Sequence, residues 1–160
     1  MPIPKHFVQG LALATTILVL DQASKWWIVE KVMNPPQVIE VTSFFNLVLT
    51  HNRGVSFGMF AAGSDLERWI LVGVALVISA VLVRWLWQTE TKTGIIALGL
   101  IIGGAIGNVI DRVLIGAVVD FLDVHAFGQH WPAFNIADSS IFVGAVAFAF
   151  EAFLKKDDSA

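Results

Sequence analysis

Residues Gly94–Leu114 read GIIALGLIIGGAIGNVIDRVL, and the chain runs on through Ile115-Gly-Ala-Val-Val-Asp120. From Gly94 to Gly107 there is no polar side chain. About 20 largely apolar residues are enough to cross a bilayer as a helix. Asn108, Asp111 and Arg112 then follow at i, i+3 and i+4, on one helix face. Within the apolar part Gly99, Gly103 and Gly107 recur at every fourth position, a small-xxx-small stripe that lets helices approach closely. Gly103-Gly104 is no phosphate loop, because no polar nucleotide-binding unit surrounds it. The stretch reads as a membrane span packed against a neighbour, extending towards Val119, with polar groups at one end.

The rest of the chain has the same character. Of 160 residues, 56% are hydrophobic and only 14% charged. The mean hydropathy is +0.75. A soluble domain carries about 25% charged residues, so this is an integral membrane protein. The formal charge of −3 implies no nucleic-acid partner, and the absence of cysteine excludes disulfides, thiolate catalysis and Cys-based zinc sites. Three further segments are long enough to span: about 7–29, 69–87 and 136–154, beside 94–114. In lipid these must be helices, since backbone groups there need internal partners. The first segment resembles a signal peptide, but it has no small-x-small cleavage site and runs on through Trp26-Trp27, so it reads as a retained span. All six tryptophans fall near predicted span ends, where indoles favour the headgroup level.

Between the first two spans lies a β-rich segment, about 35–62. Pro35-Pro36 ends any helix. Val38–Val41 and Phe44–Thr50 are rich in β-formers, His51–Gly54 reads as a turn, and Val55–Phe60 as another extended piece. A small sheet lying on the membrane surface is expected. The fold class is thus an all-α membrane protein of four transmembrane helices with a small extracytoplasmic β-cradle, a single integral membrane domain over 1–160. Positive charges tie between the two sides: Lys5, Arg84, Lys92, Lys155 and Lys156 against Lys25, Lys31, Arg53, Arg68 and Arg112. Lys25, Arg53 and Arg112 are engaged in motifs; discounting them puts the termini in the cytoplasm.

Two aspartates stand where lipid is expected: Asp120 in Gly116-Ala-Val-Val-Asp-Phe121, and Asp138 in Phe134-Asn-Ile-Ala-Asp-Ser139. A carboxylate at a membrane helix centre costs roughly 2.5–3.5 kcal/mol, so it marks a functional site. With Asp120 at the outer end of span three and Asp138 at the start of span four, antiparallel helices would bring them face to face. Two close carboxyls share a proton, which supplies the acid and the base that peptide hydrolysis needs. The alternative is that each aspartate merely caps a helix, a real competitor for Asp138 taken alone, with Asn135 three residues earlier. Asn108, Asp111 and Arg112 read equally as catalytic groups or as an ion pair, Arg112 satisfying Asp111, that fixes helix packing. Asp21 and Lys25 at i, i+4 read mainly as a structural pair that orients the β segment. Asn52, in the turn, is either turn chemistry or a hydrogen-bonding group for a substrate backbone.

Two motifs are set aside. Gly54-Val-Ser-Phe-Gly58 matches G-x-S-x-G, but the nucleophile elbow needs an α/β sheet that this chain lacks. His51, His125 and His130 show no H-E-x-x-H spacing; the last two lie in an aromatic loop, Phe121–Trp131. No metal or cofactor is expected. A transporter or proton channel is a competing class, but transport predicts broken helices with mid-membrane charges in paired halves. Here the polar groups cluster on one side and no repeat is visible. A structural scaffold leaves the two acids beside amides unexplained.

Taken together the motifs resemble lipoprotein signal peptidase, the signal peptidase II family of bacteria. The resemblance rests on Asp21-Gln-Ala-Ser-Lys25, Asn46–Gly58, Gly103-Gly-Ala-Ile-Gly-Asn-Val-Ile-Asp-Arg112, Val118-Val-Asp-Phe121 and Trp131-Pro-Ala-Phe-Asn-Ile-Ala-Asp-Ser139, in order over nearly the whole chain. It implies an aspartic endopeptidase of the bacterial inner membrane, with a β-cradle and a short helix on the periplasmic side. It implies cleavage of prolipoproteins immediately before a diacylglyceryl-modified cysteine, and inhibition by globomycin-like cyclic peptides. It implies Asp120 and Asp138 as the catalytic pair, surrounded by Asp21, Lys25, Asn52, Asn108, Asp111, Arg112 and Asn135. Membrane lipid is an expected partner, a monomer the expected state, and the loop Val119–Trp131 is expected to move as substrate enters.

Overall fold

Helix α1 spans Lys5–Trp27 and continues as a π-helical turn over Ile28–Val32. The computed structural model describes residues 3–54 and 65–157, with side chains to Phe153. Two strands follow α1, β1 (Ile39–Thr42) and β2 (Phe45–Asn52). Helix α2 is Asp65–Gln88, α3 is Lys92–Leu114, and the chain then enters β3 (Val118–Ala126) and β4 (Gln129–His130) before α4 (Ile136–Asp157). Each helix is long and apolar enough to cross a bilayer, and the protein is a multi-pass membrane protein with a small antiparallel sheet. The extended piece expected at Val55–Phe60, with Ser56, lies outside the described residues. Among those residues there is no separate short helix.

Helix α3 is the hub. It packs against α1, α2 and α4 and is the most buried of the four. Its glycine stripe explains the first of these contacts. A Cβ on Gly99 would stand 2.9 Å from the Gly10 carbonyl oxygen, and one on Gly103 would stand 2.5 Å from that of Ala14. Only bare backbone permits this approach of α1. Ala14, Leu82, Leu86, Ile95, Leu98 and Ile102 fill the space between the helices. The outward faces of α2 and α4, with Val77, Ile78, Val81, Phe142, Val146 and Phe150, are exposed apolar surface, the inverse of a soluble protein and suited to lipid tails.

The sheet has the order β1-β2-β3-β4. Thr50 pairs with Asp120, His51 with Val119 and Asn52 with Val118. His51 and Asn52 belong to a strand rather than a turn, because β3 supplies the ladder partners that β2 needs. Span three does not extend towards Val119: Gly116 takes a left-handed φ of 85°, with its N–H on the Asp111 carbonyl, and ends the helix. The β-branched pair Val118-Val119 then opens a strand. The segment read as an aromatic loop is therefore a hairpin, turned by Phe127 and Gly128, both at positive φ.

That hairpin is tied from the side. Asp123 accepts a hydrogen bond from the Asn46 amide at 2.9 Å, and His130 Nδ1 lies 2.9 Å from both its oxygens. The hydrogen bond to His130 comes first among the causes that hold the Asp123 carboxyl below its ordinary range. His125 and His130 stack with ring centroids 4.7 Å apart. A second apolar cluster, Ile28, Met33 and Phe121 with Ile39, Leu47 and Ile136 around it, joins the sheet to the ends of α1 and α4.

Candidate active site

Period-two geometry puts Asp120 and Asp123 on opposite faces of β3. Asp123 faces the hairpin tie just described, and Asp120 turns to the helices. Asp120 is 1% exposed. Asp138 stands in the first turn of α4, as expected, but Asp120 stands on β3 and not at the end of span three. Phe134 pairs with Leu122 on β3, its N–H on the Leu122 carbonyl at 3.0 Å. This bridge lays the chain entering α4 alongside β3, so that Asn135 and Asp138 arrive beside Asp120.

Asn135 is fully buried and does two things at once. Its Oδ1 accepts the Asp138 backbone N–H at 2.9 Å, so Asn135, not Asp138, caps α4. Its Nδ2 donates to Asp120 Oδ1 at 2.7 Å. Asn108, on α3, donates from Nδ2 to Asp138 Oδ1 at 2.8 Å. Each aspartate thus has its own amide donor. The two amides also touch, Asn135 Nδ2 standing 3.4 Å from Asn108 Oδ1.

Asp120 differs from an ordinary carboxylate. Burial, more than any other cause, lifts its pKa from 3.8 to about 6. A hydrogen bond from Asn52 opposes the rise, Asp138 adds to it, and Asn135 and Lys25 oppose it. Asn52, at the end of β2, therefore reaches Asp120, while its own Oδ1 takes the Gly54 N–H at 3.0 Å.

Asp21, Lys25 and Asp111 form a buried cluster behind the two acids. Lys25 Nζ is 2.8 Å from Asp21 Oδ2 and 2.8 Å from Asp111 Oδ2. The reading in which Arg112 satisfies Asp111 is corrected: Lys25 of α1 does so, because the glycine stripe brings α1 against α3. Arg112 instead lies in the field of Asp138, Asp120 and Asp111. Its Nη1 donates to the Asn108 carbonyl at 3.3 Å, and its buried Nε has no acceptor among the described residues. Asp21 and Lys25 do pair, and the pair ties α1 to α4: Asp21 Oδ1 accepts the Ala137 backbone N–H at 2.9 Å.

All nine residues singled out from the sequence converge at one end of the bundle. Gln22 joins them unannounced, donating to Asp111 Oδ1 at 2.8 Å and to Asp21 Oδ2 at 3.2 Å. Its spacing of three from Lys25 on a helix was the available signal. Beside Asp138 a cavity of about 380 Å³ is lined by Trp131, Phe134, Ser139, Phe142 and Val143. Two carboxyls, each held by an amide, thus meet a guanidinium and an adjoining apolar cleft at one end of the bundle.

Known proteins agree with this reading of the architecture. The family model for Signal peptidase (SPase) II matches residues 13–154. The chain is 43% identical to a lipoprotein signal peptidase of Rhizorhabdus wittichii over 154 residues, 95% of this chain and 90% of that one. It is 47% identical to the lipoprotein signal peptidase of Polynucleobacter necessarius over 137 residues, 84% of this chain and 83% of the relative. A solved bacterial membrane enzyme superposes with a TM-score of 0.80 at 29% identity, covering 94% of this chain and 91% of its own. A second does so with a TM-score of 0.77 at 30% identity, covering 89% and 91%. The matched region runs through every helix and strand that carries the clustered acids and amides, and the chain belongs to the signal peptidase II family of membrane proteases.

Proposed function

We propose that this protein removes signal peptides from prolipoproteins by aspartic acid/base catalysis, cutting immediately before a cysteine that already carries diacylglyceryl. The observation that carries the proposal is the arrangement of Asp120 and Asp138: two acids from different elements, each held by its own amide, one buried and one at the mouth of an apolar cavity. The names of the relatives supply the substrate class. Such a substrate is anchored by acyl chains and an apolar signal helix, so it meets the enzyme only at membrane depth. The cavity lined by Trp131, Phe142 and Val143 suits that apolar partner.

The chemistry needs one proton shared by two carboxyls. The ionised aspartate takes a proton from water as the water oxygen bonds to the scissile carbonyl carbon. The protonated partner hydrogen-bonds the carbonyl oxygen as negative charge develops there. When the C–N bond breaks, the proton taken from water passes to the leaving amine. Burial lets Asp120 hold a proton up to about pH 6. The buried Nε of Arg112, without an acceptor among the described residues, is a ready donor for a substrate carbonyl. The site faces the periplasm, with both termini in the cytoplasm of an inner-membrane protein, and globomycin-like peptides compete for it.

The test is turnover of a diacylglyceryl-modified precursor by purified protein in lipid, with the new N-terminus read by mass spectrometry. The expected product begins with the lipidated cysteine. Asp120→Asn and Asp138→Asn each lower turnover by at least about 100-fold while the protein still inserts and melts cooperatively. Near-normal turnover by either variant removes the dyad.

A further inference from the structure

We propose that Lys25 is a positioning residue that sets the spacing between Asp120 and Asp138, by holding together the two carboxylates that grip the chain just ahead of each. The proposal rests on the dyad reading above.

Lys25 is 3% exposed. Its ammonium has three N–H donors and three acceptors surround it: Asp21 Oδ2 at 2.8 Å, Asp111 Oδ2 at 2.8 Å and Asn108 Oδ1 at 3.2 Å. Each leads to the dyad by one further bond. Asp21 Oδ1 accepts the N–H of Ala137, the residue before Asp138, at 2.9 Å. Asp111 Oδ2 accepts the N–H of Val119, the residue before Asp120, at 3.1 Å. Asn108, with its oxygen held by Lys25, must aim its amide nitrogen at Asp138. Gln22 Nε2 clips the two carboxylates together on another side. Neither arm can shift without moving the other.

Charge compensation alone does not account for this cluster. The cluster holds two acids for one cation, and a buried ion pair is no general route to stability. The second acid is explained once each carboxylate is seen to hold a separate backbone N–H. Gly107 is part of the device: a Cβ there would stand 2.6 Å from Asp21 Oδ2 and displace it.

Two variants test the idea in the lipid-reconstituted full chain. Lys25→Met combined with Asp111→Asn removes the ammonium together with one acid, so that no second carboxyl is left without its cation. Gly107→Ala pushes the Asp21 carboxylate while removing no charge and no hydrogen-bonding group. Both are expected to bind precursor with unchanged KM and to lose kcat, by about 100-fold for a displacement near 1 Å, while Gly107→Ala still folds cooperatively with a thermal midpoint lowered only as far as one crowded methyl lowers it. Wild-type kcat in either variant overturns the proposal. So does a Gly107→Ala chain that no longer folds, since the contact would then serve the bundle and not the spacing. If the double variant alone fails to fold, the KM and kcat of Gly107→Ala decide. Full turnover by Asp120→Asn or Asp138→Asn would instead sink the dyad reading itself, a separate result.

Discussion

Asn135 carries two duties that substitution can separate. Its oxygen caps α4 and its nitrogen holds Asp120. Serine is a good N-cap, whereas alanine loses about 1 kcal/mol of cap energy. Asn135→Ser is therefore expected to keep the cap and melt above Asn135→Ala, while kcat falls by about 10- to 100-fold, the size of a lost hydrogen bond to a charged group. Asn135→Ala is expected to lose both, and thermal unfolding beside turnover tells the two apart. Asp120 makes a second prediction. Its folded pKa of about 6 lies above the ordinary 3.8. Between those values the folded state binds more protons than the unfolded one, so its contribution to stability falls as pH rises through the window and is flat above it. The stability of wild type relative to Asp120→Asn should drop by up to about 3 kcal/mol between about pH 4 and pH 6. Melting in detergent across that range checks it, and a constant difference would mean that burial does not raise this carboxyl.

Helix α3 meets α1 through backbone, and that contact fails in a known direction. Gly103→Val places methyl groups where the Ala14 carbonyl and Ile17 already stand. Overpacking of this kind typically costs about 1–3 kcal/mol. Gly73 on α2 is the control, since nothing lies within 4 Å of a Cβ built there. Gly73→Ala should be neutral or stabilising, by about 0.5–1 kcal/mol. Comparable losses at both positions would show that helix propensity, not the α1–α3 approach, sets the outcome. The glycine stripe therefore reaches from packing to chemistry. Without it α1 stands off, Lys25 leaves Asp111, and the groups ahead of both aspartates lose their tether.

Across the whole molecule the polar groups gather at the end of the bundle that carries the sheet, opposite the α2–α3 turn. If the termini are cytoplasmic, that turn is too. The chain has no cysteine, so single reporters are clean. In intact spheroplasts, Phe127→Cys should react with an impermeant maleimide, and Glu90→Cys only after permeabilisation. The reverse pattern would invert the topology. Much of this was legible beforehand. An apolar run, a tryptophan near an end and a glycine every fourth residue are local signals with a fixed period, and they determined four spans, a close helix contact and a short list of acids and amides. The strand β3 was not legible, because its carboxylates at 120 and 123 break the alternation that marks a strand, and its pairing partner lies some 70 residues away in β2. Nor was it legible which acid each cation meets. Arg112 was the near neighbour of Asp111 in sequence, yet Lys25 of another helix is the near neighbour in space. Local periodicity determines which segments cross the membrane. Only long-range pairing of β2 with β3, and of Phe134 with Leu122, decides that Asp120 and Asp138 share one site, because nothing short-range in the chain carries the energy of contacts between distant segments.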